Sequence, residues 1–158
     1  MKPLRYETSG FHPWTREEVT QFEARHQIGT KARLALALML YLGVRRGDLV
    51  TLGRQHVRDG VIRFVPLKTR RKKMHAIEIP IVAELAAIIE ASPTGDLTFL
   101  TTEWGKPFTA NGFGGWFRDR CDEAGLPHCS AHGLRKAGAT IAAERGADIR
   151  AAQHAAGI

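Results

Sequence analysis

The sequence predicts a mainly α-helical domain with one small antiparallel β-sheet, an α+β fold, and three observations carry that expectation. Apolar residues recur at helical spacing through most of the 158 residues. Two short β-type runs, Val61 to Val65 and His75 to Ile79, stand close together near the middle. Capping residues and glycines punctuate the rest at the intervals a helical protein needs. With 44% apolar and 25% charged residues, the chain suits a single domain able to bury its own core. No internal repeat or low-complexity segment is visible.

Residues 1–13 contain Pro3, Gly10 and Pro13 without periodicity, so they read as a lead-in or linker and the domain is expected over 14–158. Thr15-Arg16-Glu17-Glu18 fits a capping box, in which the hydroxyl accepts from a backbone N–H and Glu18 reaches back. Val19 and Phe22 then start a buried face. Lys31 to Leu42 is apolar nearly all round, which predicts a central helix stopped by Gly43. Asp59-Gly60 marks a turn, and the two β-type runs with Lys68-Thr69-Arg70-Arg71-Lys72-Lys73 between them predict a hairpin with a long basic tip.

Pro80 is expected in the first turn of the next helix, where its missing N–H costs nothing, with Val82, Leu85, Ala86 and Ile89 at helical spacing. Ser92-Pro93-Thr94-Gly95 ends that helix. A further helix from Ala110 to Ala124 is expected to bury Phe113, Trp116 and Phe117 and to stop at Gly125, although Gly112, Gly114 and Gly115 weaken its beginning. Ser130 is placed as the cap of a helix running to Arg145 and ended by Gly146, and Asp148 as the cap of a last stretch to Ala156.

Lys and Arg number 23 against 16 Asp and Glu, giving a net charge of +7 and a pI near 9.9. A polyanionic partner follows, nucleic acid ahead of a membrane surface. Cys121 and Cys129 cannot make a disulfide framework, so a reducing intracellular setting is the simpler reading. Met1 to Gly10 lacks the apolar segment of a signal peptide, and the longest apolar run, Leu34 to Val44, is too short to span a bilayer.

If Ser130 is a helix cap, His132 and Arg135 lie on one face of the helix start, where unpaired N–H groups and the positive dipole end make a phosphate seat. Arginine presents a planar fork that matches two phosphate oxygens, and imidazole can donate a hydrogen bond or move a proton. For this motif alone, a His and an Arg that merely solvate a helix start is the competing reading. Arg45 follows directly on the expected central helix, and Asp48 could hold its guanidinium in an ion pair. Arg45 and Arg46 point differently, so only one is expected to serve a site. Lys68 to Lys73 carries five positive charges in six residues: a solvated loop, or an ammonium that reaches a groove or protonates a leaving oxygen. Cys121, His128, Cys129 and His132 are close in sequence, yet neither C-x-x-C nor H-x-x-x-H spacing occurs, and no metal is expected. Trp14, Trp104 and Trp116 could stack on bases, but Trp116 with Phe113 reads better as core.

Gly43-Val44-Arg45-Arg46-Gly47-Asp48-Leu49 resembles the segment of tyrosine recombinases (phage integrases) that supplies a first catalytic arginine and its acidic partner. Val65-Pro66-Leu67-Lys68-Thr69 is similar to the family's lysine-bearing hairpin, and His132-Gly133-Leu134-Arg135-Lys136 to its His-x-x-Arg helix. Gly146-Ala147-Asp148-Ile149-Arg150 with Gln153 and Gly157 is similar to the helix that follows. The resemblance runs from Thr15 to the last residue.

It implies a tyrosine-recombinase catalytic domain in which Arg45, Lys68, His132 and Arg135 surround a scissile DNA phosphate, supported by Asp48. Arg70, Arg71, Lys72, Lys73 and Lys136 would contact duplex DNA, with no metal and no cofactor. The two arginines would stabilise charge on the non-bridging oxygens, Lys68 would act as general acid and His132 would assist proton transfer. In the family a tyrosine attacks to form a 3′-phosphotyrosyl link. Here Ile158 stands where the family places a second His or a Trp, and neither Tyr6 nor Tyr41 substitutes by position for the nucleophile. The expectation is therefore an integrase-like domain incomplete at its carboxyl end, acting in DNA recombination or integration by ancestry and inactive in cleavage on its own. The alternative is a DNA-binding or regulatory module that has lost catalysis. Self-association through the incomplete end, no membrane, and a cytoplasmic, nucleoid-associated prokaryotic setting complete the reading.

Overall fold

Thr15 opens the first helix by the reciprocal cap that the sequence predicts. Its Oγ1 accepts from the Glu18 N–H at 3.1 Å, and Glu18 Oε1 accepts from the Thr15 N–H at 2.8 Å. The computed structural model describes residues 11–69 and 75–155. Helix α1 (Arg16–Arg25) buries Val19 and Phe22. Thr30 caps α2 (Lys31–Leu42), whose residues from Ala32 to Leu42 are buried except Arg33 and Tyr41, and Gly43 ends it at φ 66°. Such a helix has no solvent face because neighbours cover it on every side: α2 packs against α4 (Ala83–Ala91), α5 (Ala110–Glu123) and α6 (Ala131–Ala155), and against the single turn α3 (Arg46–Leu49).

Past a 3-10 turn at Arg54–His56, three short strands form an antiparallel sheet in the order β1 (Val57–Arg58), β2 (Val61–Phe64), β3 (Ile77–Pro80). Asp59 and Gly60 both take positive φ, 53° and 75°, the two-residue turn whose twist matches that of the flanking strands. In register, Ile62 faces Ile79 and Phe64 faces Ile77, and the β2 residues of both pairs are buried. Aromatic rings close the core at the other end. Phe117 stacks on Phe22 at 5.2 Å and on Phe113 at 5.9 Å, and Trp14, 5.7 Å from Phe22, donates its indole N–H to Ser130 O at 2.8 Å. Trp116 is half-buried beside Phe113, whereas Trp104 is exposed.

Three boundaries depart from expectation. The Asp59-Gly60 turn joins two strands, β1 being too short to carry a readable alternation. Pro80 closes β3 opposite Val61 instead of opening a helix. β3 is an edge strand, where a missing N–H is tolerated, and the Ile81 N–H continues the pairing by donating to Gly60 O at 2.8 Å. The helix after it therefore starts at Ala83, with Leu85, Ile88 and Ile89 buried and Val82 and Ala86 exposed. Finally, α6 runs unbroken through Gly146 and Asp148. A glycine inside a helix costs only about 1 kcal/mol relative to alanine, so it terminates a helix only where the chain also turns to positive φ.

Candidate phosphate-binding site

The start of α6 is built to hold two side chains still. Ser130 Oγ accepts from the Gly133 N–H at 3.2 Å, the expected cap. Gly133 is buried, and a Cβ there would collide with the His12 carbonyl, so the first turn presses directly on the incoming chain. One turn later Gly138 lies against Leu40 of α2, where a Cβ would stand 3.8 Å from Leu40 Cδ1. With Gly133, Leu134 and Gly138 facing inward, His132 and Arg135 are left exposed on the other side. The His132 ring rests 4.3 Å from Phe11, and Arg135 Nε donates to Gly43 O at 3.4 Å. Gly43 is the left-handed residue that ends α2, and Arg45 follows two residues later as the extended residue before α3. The carboxyl-terminal helix and the end of the central helix thus bring their arginines to one place.

A cavity of about 570 Å3 opens there, lined by Arg45, Lys68, His132 and Arg135 together with Phe11, Arg46, Asp48 and Arg118. A neighbouring cavity of about 320 Å3 shares Arg45, Asp48, Lys68 and Arg135. Among the described residues, five cationic residues and the N-terminal turn of α6 line the larger space, against the one carboxylate of Asp48. Such a space favours a compact anion with several acceptor oxygens, because each oxygen can meet a charged donor while the helix dipole adds to the field.

Asp48 makes a contact beyond the one that the sequence suggested. It is buried, and its Oδ1 accepts from the Leu67 N–H at 2.8 Å. The reason is the brevity of α3: one turn after the exposed Arg45, Asp48 already faces inward, toward the segment after β2. Asp48 therefore anchors the residue next to Lys68.

Both Arg45 and Arg46 line the cavity, where only one was expected. Arg46 Nη2 donates to Asn111 Oδ1 at 3.3 Å, and its guanidinium lies over Gly114 of α5. Arg118, one turn beyond Gly114, also lines the cavity. The readable signal was a helix face with a glycine at one turn and a cation at the next. Lys136 Nζ donates to the Phe11 carbonyl at 3.4 Å, which ties the incoming chain to α6. Arg70, Arg71, Lys72 and Lys73 lie outside the described residues, as do Tyr6 and Ile158. Tyr41 is half-buried, and its hydroxyl accepts from Arg145 Nη1 at 3.2 Å, away from the cavity.

Comparison with known proteins gives the family and the fold. The model of the phage integrase family matches residues 15–157. No curated protein matches the sequence. Among solved structures, the lambda integrase catalytic core is 19% identical with a TM-score of 0.66, covering 90% of this chain and 89% of that one. A lambda integrase (75-356) dimer bound to a COC′ core site is 19% identical with a TM-score of 0.71, covering 95% of this chain and 58% of that one. XerA recombinase is 17% identical with a TM-score of 0.65, covering 84% of this chain and 50% of that one. The chain thus spans about half the length of XerA, and these likenesses establish a shared fold.

Proposed function

The chain belongs to the phage integrase family, and on that premise we propose that it grips one backbone phosphate of duplex DNA and serves the phosphoryl-transfer step of recombination or integration. The observation that carries this is the meeting of Arg45, Lys68, His132 and Arg135, from three separate segments, around one cavity. Arg45 and Arg135 would stabilise charge on the non-bridging oxygens as phosphorus becomes five-coordinate. Lys68, set by the Asp48 contact to Leu67, would protonate the leaving 5′ oxygen, and His132 would assist the proton transfer. The attacking tyrosine would conserve bond energy in a 3′-phosphotyrosyl link. We place that nucleophile outside these 158 residues, because Tyr41 is engaged with Arg145 and Tyr6 precedes the first helix.

The test is a gel-shift titration with duplex DNA, in which Arg45→Ala and Arg135→Ala each weaken binding. No change for either would remove the phosphate assignment. The position of Tyr41 favours a second reading, a DNA-binding or regulatory module without cleavage. A nicked suicide duplex separates the two: with a tyrosine-bearing carboxyl-terminal segment supplied, covalent protein–DNA adduct forms under the first reading and none under the second.

The lambda integrase structures include a dimer bound to a COC′ core site and a tetramer bound to a Holliday junction. By analogy we place this chain on DNA as a self-associating protein, which sedimentation with and without duplex would check. No helix among the described residues is long and apolar enough to cross a membrane. A cytoplasmic, nucleoid-associated setting in a prokaryote belongs to this reading.

A further inference from the structure

One cluster of chemically capable side chains lies outside the phosphate cavity. His12, Glu18, His128 and Cys129 each place one donor atom within 4.8 Å of those of the other three. His12 Nε2 is 2.7 Å from Glu18 Oε1, and His128 Nε2 is 2.5 Å from Glu18 Oε2. The two imidazoles meet edge to face, 4.8 Å between centroids. Cys129 is fully buried, and the Glu18 side chain is only 15% exposed.

We propose that His12, Glu18, His128 and Cys129 bind a divalent cation of the zinc class, two imidazole nitrogens, one carboxylate oxygen and one thiolate sulfur forming its tetrahedral shell. Mixed nitrogen and sulfur donors select such an ion over magnesium or calcium, which take oxygen. Zinc bonds of about 2.0–2.3 Å put ligand atoms about 3.3–3.6 Å apart. The widest separation here must therefore close by roughly 1 Å, within the reach of two part-exposed imidazoles rotating about their side-chain bonds. On binding, the Cys129 thiol gives its proton to solvent. The thiolate and the Glu18 carboxylate then balance the two charges of the cation, which replaces the hydrogen bonds now linking both rings to Glu18.

The donors explain why sequence spacing fails to disclose the site. His128 and Cys129 are adjacent, whereas His12 and Glu18 come from the other end of the chain. Cys121 and His132, near in sequence, are not members: Cys121 is buried on α5 and His132 lines the phosphate cavity. A bound cation would pin the segment before α1 to the loop before α6. That segment carries Phe11, whose ring touches His132 and whose carbonyl accepts from Lys136.

The test uses the full 158-residue chain, stripped with a chelator and titrated with cobalt(II) alone, then with zinc(II) as competitor. One equivalent should bind with a thiolate-to-cobalt charge-transfer absorption, zinc should bleach it, and zinc should raise the melting temperature. His128→Ala, at a half-exposed position, and Cys129→Ser should each weaken binding at least about a hundredfold, the upper end of what even outer-shell losses produce. Cys121→Ser and Arg135→Ala should bind as the parent does. Circular dichroism confirms that each variant is folded, and if Cys129→Ser is not, His128→Ala decides. Uptake without the thiolate absorption, or a folded His128→Ala that binds as tightly as the parent, overturns the proposal.

Discussion

If Arg45 and Arg135 hold the same phosphate, removing either one will lower affinity while leaving counterion release on binding almost unchanged. Arg135 Nε rests on Gly43 O at 3.4 Å, and Arg45 leaves the same turn two residues later, so both guanidinia serve one end of the cavity. A hydrogen bond to a charged group contributes about 1.5–3 kcal/mol. Arg45→Ala or Arg135→Ala should then weaken duplex binding about 10- to 150-fold at fixed salt. Each neutralised phosphate adds about 0.9 to the slope of log affinity against log salt. A single replacement leaves the phosphate paired by the other arginine and the slope nearly unchanged, whereas the double replacement lowers it by about 0.9. Fluorescence anisotropy of a labelled duplex, titrated at salt between about 50 and 200 mM, measures both quantities. Singles that each lower the slope by about 0.9, with a double that loses about 1.8, would mean two phosphates and would refute the shared grip.

Phe117→Ala should cost about 3–5 kcal/mol in urea unfolding, since it empties the ring stack with Phe22 and Phe113; a loss under about 1 kcal/mol would show that stack to be dispensable. Asp48→Ala should cost about 1–3 kcal/mol by stranding the Leu67 N–H, and Asp48→Asn, which keeps an acceptor oxygen, should recover most of it in thermal melts. Burial raises the Glu18 carboxyl pKa, but the Thr15 N–H, His12 and His128 outweigh it and hold it at about 2 against an ordinary 4.5. With the folded value depressed, Glu18's contribution in metal-free protein is complete above about pH 4.5 and is lost as the pH falls toward 2. Glu18→Gln should flatten the acid limb of a stability–pH curve, and an unchanged limb would contradict the assignment.

Helix α1 and the central α2 were legible because their signals are local: Thr15 with Glu18, and an apolar run stopped by Gly43. The Asp59-Gly60 turn was legible for the same reason. Pro80 and Gly146 misled because each residue has two uses, and a strand edge or a helix interior is chosen by what packs alongside. Of the site, the motif residues were readable as types and their common cavity as an expectation of resemblance. Asp48 was not readable as the partner of Leu67, since nothing near it in sequence reports which face of a one-turn helix turns inward. The His12, Glu18, His128 and Cys129 cluster was hidden more deeply, its halves being joined only by the folded chain.

The indole of Trp14 bonds the carbonyl of Ser130 across 116 residues, beside the first turn of α6 that seats the proposed phosphate. During synthesis the ribosome releases Arg45 and Lys68 long before His132 and Arg135, and Trp14 has nothing to bond until Ser130 emerges. The cavity that Arg45, Lys68, His132 and Arg135 line together is therefore closed only by residues made late, and the proposed grip on a phosphate waits for the first turns of α6.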